Sequence, residues 1–162
     1  MGAPSRCVAV MAAWGLAAVG GCKSSAPAPA PKVTIHGGTW RVELATTSEQ
    51  RYRGLADRTR LDADAGMLFI FPNPDVREFC MRQCLIPLDV AFIDVQGQVV
   101  KIHTMPVEPY GLDRAVYSSE KPAQYALEVR AGALAEAGVK IGDRVEFSAD
   151  VPPPQSVEEE EP

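Results

Sequence analysis

The sequence predicts a mostly β, β-rich α+β domain, a compact antiparallel barrel-like fold with one or two short helices. Three observations carry this. Short apolar or alternating segments recur along residues 33–150, turn signals separate them, and only two stretches show helical punctuation. The 162 residues also divide by composition into four parts: 1–21, 22–32, 33–150 and 151–162. One domain of ordinary size fits the third part.

The first segment opens with a single charge, Arg6, and an apolar run from Cys7 to Val19. A bilayer span takes about 20 apolar residues, so this run is too short to span comfortably and has the build of a secretory signal. It ends Val19-Gly20-Gly21-Cys22, which resembles a bacterial lipobox and marks Cys22 for lipidation. Acyl chains contribute ~0.8 kcal/mol per buried methylene, so the expected location is the cell envelope. The protein would be membrane-anchored and face the periplasm or the outer surface. Ser24 to Lys32 alternates Ala and Pro and forms a stiff linker. The tail combines PPP with EEEE, a composition that forms no core.

Within the domain, Thr39–Ala45 alternates polar and apolar residues, placing Trp40, Val42 and Leu44 on one face of a strand. Thr46, Thr47 and Ser48 offer helix caps before a short helix, Glu49–Leu55, stopped near Gly54. Gly66–Phe71 is continuously apolar, a strand buried on both faces. Pro72 ends it, Asn73-Pro74 makes a turn, and Glu78–Arg82 is a further strand. Leu88–Val95 and Gln98–Met105 flank a Gln96-Gly97 hairpin turn. A loop spans Pro106–Pro122, a strand Gln124–Val129, a short helix Gly132–Ala137 closed by Gly138, and a last strand Asp143–Ser148.

The charge balance excludes some partners. The net charge is −5, and loss of Arg6 with the signal takes it to −6. Nucleic-acid binding needs a basic surface, so no nucleic-acid partner is expected. The two histidines, His36 and His103, match no ligand spacing, so no metal and no cofactor are expected.

The order of motifs resembles the family known as domain of unknown function 192. The carrying residues are Arg51-Tyr52-Arg53-Gly54-Leu55 with Arg58, Gly66–Phe69, Phe79-Cys80-Met81-Arg82-Gln83-Cys84 leading to Ile86-Pro87-Leu88-Asp89, Ser118-Ser119, Leu127-Glu128 and Gly142-Asp143. The resemblance covers nearly the whole domain and implies a β-rich barrel-like fold without an established activity. Where the family has Trp and Thr, this chain has Cys80 and Cys84. Four residues of extended strand span about 13 Å, whereas a disulfide needs Cα atoms within about 7 Å. A bond therefore requires a turn between the two cysteines. A disulfide, two separate thiols, and a redox or metal role all stay open.

Arg51, Arg58, Phe79, Met81, Arg82, Asp89, Ser118 and Glu128 are the candidate ligand-binding residues. Arginines at a barrel mouth hold anionic or hydroxylated groups by planar hydrogen bonding. No catalytic constellation is visible: there is no nucleophile elbow around Ser118, and no residue is assigned a catalytic role. The leading expectation is a non-catalytic envelope module for a small polar ligand, a glycan or a partner protein. The alternative is a hydrolase acting on an envelope polymer with Asp89 or Glu128 as acid or base. A second alternative is a pure scaffold, with Arg82 and Glu128 forming internal bridges. A buried carboxylate of raised pKa in a cleft favours the enzyme; carboxylates clamped by arginines favour the other two.

Overall fold

The computed structural model describes residues 30–109 and 115–154. The expectations for the signal, for Cys22 and for most of the linker and tail lie outside the described residues. Nine elements follow in chain order: β1 (Lys32–Ile35), β2 (Gly38–Ala45), α1 (Ser48–Arg53), β3 (Ala65–Phe79), β4 (Leu88–Ile93), β5 (Val99–Met105), β6 (Tyr117–Arg130), α2 (Ala133–Glu136) and β7 (Val145–Phe147).

The strands make one sheet in the order β5-β4-β6-β3-β2-β1-β7. Every pair is antiparallel except β2 with β3, which run parallel. Parallel neighbours need a crossover, and α1 lies on it. The sheet curls into a half-barrel whose two edges meet at one end. There Gln98 bridges Arg144, Val99 N donates to Asp143 O at 3.0 Å, and Val145 N donates to Gly97 O at 2.8 Å.

Both faces of the sheet are covered, and side-chain alternation sorts residues between two cores. In β3, Leu68 and Ile70 join Trp40, Val42 and Leu134 on one face. Met67, Phe69 and Phe71 join Leu55, Met81 and Phe92 on the other. The unbroken apolar run at Gly66–Phe71 thus reflects a strand with no solvent side. Gly66 lets β6 approach closely, because a Cβ there would stand 2.6 Å from Glu128 O.

Thr47 is the helix cap: Gln50 N donates to its Oγ1 at 3.2 Å, and Gln50 Oε1 accepts from Thr47 N at 3.2 Å. This reciprocal capping box fixes where α1 begins. Gly54 ends the helix at φ 52°, a backbone conformation that disfavours side chains with a Cβ.

The structure corrects several expectations. Pro72 does not end a strand and Asn73-Pro74 is not a turn between strands; β3 continues to Phe79. The two prolines fall where the β3–β6 register shifts, between Ile70 and Asp75. At such an irregularity the missing N–H costs no ladder bond. The strand expected over Glu78–Arg82 is the end of β3 followed by a turn, in which Cys84 N donates to Met81 O at 3.3 Å. β6 begins at Tyr117, inside the expected loop. β1, directly after the linker, was not expected.

Candidate functional site

On the face carrying α1, the helix, the far half of β3 and the Cys80–Cys84 turn enclose a cleft of about 820 Å³. Its apolar wall is aromatic. Phe79 stands edge-on to Phe69 at 4.9 Å and to Phe92 at 5.2 Å between centroids. The arginines are fixed by their surroundings. Arg51 Nη1 donates to Thr46 O at 2.9 Å and to Ile70 O at 3.1 Å, tying α1 to β3. Arg77 lies over the Phe71 ring at 4.0 Å, and Arg82 stacks on Tyr52 at 3.4 Å while donating from Nη2 to Tyr52 O.

Glu128 also lines this cleft. It sits on β6 between Leu127 and Val129, with Met67 and Val90 as its strand neighbours. Only 5% of it is exposed, and burial pushes its carboxyl up to about 8. At neutral pH it is therefore mostly a neutral acid, able to donate as well as accept. Its Oε2 is buried without a hydrogen-bond partner, and so is Arg82 Nε. Buried polar atoms are nearly always satisfied, and the residues that carry these exceptions, Glu128 and Arg82, both line the cleft.

Of the residues singled out in the sequence, Arg51, Phe79, Arg82 and Glu128 line the cleft, together with Cys80 and Cys84. The other four do not. Asp89 is buried and accepts from Thr104 Oγ1 at 2.7 Å and from Leu134 N at 3.2 Å, holding the start of α2. Alternation along β4 turns it to the face opposite Val90, away from the cleft. Arg58 makes a bidentate pair with Glu43, with both contacts at 2.6 Å. Met81 is packed into the core. Ser118 Oγ accepts from Glu120 N at 3.1 Å. Its neighbour Ser119 is the buried one, taking Arg77 N at 2.9 Å and donating to Lys121 O at 2.6 Å. Neither Arg82 nor Glu128 forms the internal ion pair of the scaffold reading among the described residues; Arg82 turns to Tyr52 instead.

Cys80 and Cys84 are free thiols in this structure. Burial first, then the charges of Glu128 and Cys80, push the Cys84 thiol up to about 11. A thiol held so far above neutral pH is a poor nucleophile. Among the described residues no group of three or more His, Cys, Asp or Glu is placed to hold a metal ion. No described helix is long and apolar enough to cross a membrane.

Sequence reasoning missed Arg77 and Tyr52. Arg77 was hidden inside the expected turn. Arg77 sits at the second irregularity of the β3–β6 register, between Val76 and Glu78, which strand alternation in the sequence does not reveal.

Comparison with known proteins agrees with this architecture. A family model of domain of unknown function 192, described as "Uncharacterized ACR", matches residues 31–147. The chain belongs to the domain of unknown function 192 family. Two solved structures are similar to this family member. One, from Sinorhizobium meliloti 1021 and assigned to transcription regulation by name alone, is 33% identical, with a TM-score of 0.66, over 74% of this chain and 95% of that one. The other, a protein of unknown function from Novosphingobium aromaticivorans DSM 12444, is 35% identical, also with a TM-score of 0.66, over 78% of this chain and 99% of that one. No curated protein matches.

Proposed function

We propose that this domain is a ligand-binding module of the bacterial cell envelope, tethered through a lipidated Cys22, whose cleft receives a small polar molecule with an apolar face. One observation carries the binding reading: Glu128 and Arg82 line the same cleft, and each holds a polar atom, Oε2 and Nε, that is buried without a hydrogen-bond partner. Leaving such groups unsatisfied costs roughly 1–3 kcal/mol each, and a ligand toward which these side chains turn recovers part of that cost. The aromatic wall supplies apolar area beside them. The short signal-like segment and Val19-Gly20-Gly21-Cys22 support the tether. The regulator name borne by the Sinorhizobium protein is not carried over, because a chain of net charge −5 is poorly suited to phosphate backbones.

The raised carboxyl of Glu128 favours a second reading, by the criterion stated for the sequence: a hydrolase with Glu128, not Asp89, as general acid. A protonated carboxyl in a cleft is what acid catalysis needs.

Both readings are tested with one panel of neutral sugars, sugar acids, hydroxy acids and soluble envelope oligosaccharides. Backbone-amide NMR shifts report binding, and product analysis reports cleavage. The binding reading expects saturable shifts at cleft residues, weakened by less than tenfold in Glu128→Gln and abolished in Glu128→Leu. It fails if no compound shifts the cleft. Bond cleavage that disappears in Glu128→Gln while binding persists establishes the hydrolase instead. For the tether, Cys22→Ser is expected to move the protein into soluble fractions; persistent membrane attachment overturns it.

A further inference from the structure

We infer that Cys80 and Cys84 form a reversible disulfide across the turn that joins them, a covalent clasp on one wall of the cleft. Such a bond forms or fails whatever the cleft binds.

The spacing of the two cysteines demands a reversal of the chain between them, and the structure supplies it. Cys84 N donates to Met81 O at 3.3 Å, closing a four-residue turn over Met81–Cys84. Gln83, the third residue of that turn, takes φ 55°, the left-handed backbone that a tight reversal uses at this position. The first and last Cα atoms of such a turn lie within about 7 Å, and Cys80 immediately precedes it. The pair is therefore not spread along about 13 Å of extended strand. It sits at the two ends of a fold in the chain, which draws it toward the Cα separation of about 7 Å or less that a disulfide needs. Cys84 Sγ lies against the turn itself, 3.7 Å from Arg82 O. The turn is also held from outside, because Asp57 N donates to Gln83 O at 2.8 Å and Arg82 donates to Tyr52 O.

Both cysteines line the same cleft, Cys80 exposed and Cys84 half-buried. Burial and Glu128 push the Cys84 thiol up, and Cys80 is near enough for its charge to add to that push. Among the described residues there is no other cysteine to compete for either sulfur.

The oxidant is a second disulfide, R–S–S–R, carried by a small thiol or a protein. Cys80, as the thiolate, attacks one of its sulfurs, forms Cys80–S–S–R and releases R–S⁻, which takes up a proton. Cys84 then gives its proton to solvent, attacks the Cys80 sulfur and releases the second R–S⁻, which is protonated in turn. Two protein thiols are oxidised to one disulfide, and one disulfide is reduced to two thiols. Excess free thiol runs the same steps backwards, and an exposed bond is the kind it opens. The second step is the slow one, because a thiol pushed up to about 11 holds little thiolate near neutral pH.

The test uses the full-length chain carrying Cys7→Ser and Cys22→Ser, which leaves Cys80 and Cys84 as its only thiols. The dithiol form is incubated with oxidised glutathione at pH 8, quenched in acid over time, alkylated and read by intact and peptide mass. A glutathione adduct on Cys80 is expected first. A monomer two hydrogens lighter than the dithiol then replaces it, with both alkylation sites lost together. Excess reduced glutathione is expected to restore both sites, and Cys84→Ser is expected to stop at the Cys80 adduct. Disulfide-linked dimers as the main product overturn the inference. So does an adduct that persists on Cys80 while Cys84 remains open to alkylation, and so does a closed bond that excess reduced glutathione fails to open.

Discussion

Gly66 lies so close to Glu128 that a Cβ on the glycine would stand 2.6 Å from the Glu128 carbonyl oxygen and 3.0 Å from Val129 Cγ1. The contact is to backbone, which cannot swing aside as a side-chain tip can. Gly66→Ala is therefore expected to destabilise the domain by about 1–3 kcal/mol through overpacking. Urea denaturation reads this directly; an unchanged midpoint would show that β3 and β6 can part without cost.

Asp89 and Glu128 are both buried acids on central strands, yet their roles diverge. Asp89→Ala removes the acceptor for Thr104 Oγ1 and Leu134 N, so a cost of roughly 1–3 kcal/mol is expected. Ligand affinity in the cleft should be unaltered, because Asp89 faces the other core. Loss of binding without loss of stability would contradict that placement.

The pH dependence of stability follows from Glu128. Its carboxyl is raised from 4.5 to about 8 by burial. Between those values the folded chain holds a proton that the unfolded chain has released, so stability falls as pH rises. The full contribution is present below about pH 4.5 and is lost by about pH 8. The slope approaches 1.4 kcal/mol per pH unit at most, for a total on the order of a few kcal/mol. Glu128→Gln should flatten this part of the profile, compared as urea midpoints at pH 5 and pH 9. A parallel profile for the variant would place the titration elsewhere.

The two thiols should label unequally. Cys80 is exposed, whereas Cys84 is half-buried and its thiol is pushed up to about 11. Iodoacetamide at pH 8 without reductant should modify both, Cys80 faster, because the thiolate is the reacting form. Peptide mass mapping over time measures the two rates. Failure of both to label until reductant is added would mean the turn between them is closed by a disulfide.

The elements legible in the sequence were those whose pattern is local. Trp40 and Val42 alternate, Thr47 is one of the caps offered before the short helix, and Gln96-Gly97 sits between two apolar runs. What could not be read depends on partners distant in sequence. Pro72 and Pro74 look like terminators, and only the register shift against β6 shows why they are tolerated. β1 is four residues long and takes its stability from β2 and β7 on either side. For the site, Arg51, Phe79, Arg82 and Glu128 could be picked as residue types in strong motifs. Which face of the sheet each acid occupies is a matter of strand parity, and Asp89 and Glu128 could not be separated before the strands were aligned.

The pairing of β1 with β7 sets Val33 opposite Phe147, and Lys32 N donates to Ser148 Oγ at 3.0 Å. The backbone thus leaves the half-barrel at nearly the spot where it entered. A linker of a few residues from Ser148 back to Lys32 would turn the polypeptide into a ring, and the Gln96-Gly97 turn offers a place to open it again. A circular permutant cut there would exchange the order of the strands in the gene while keeping every neighbour in the sheet.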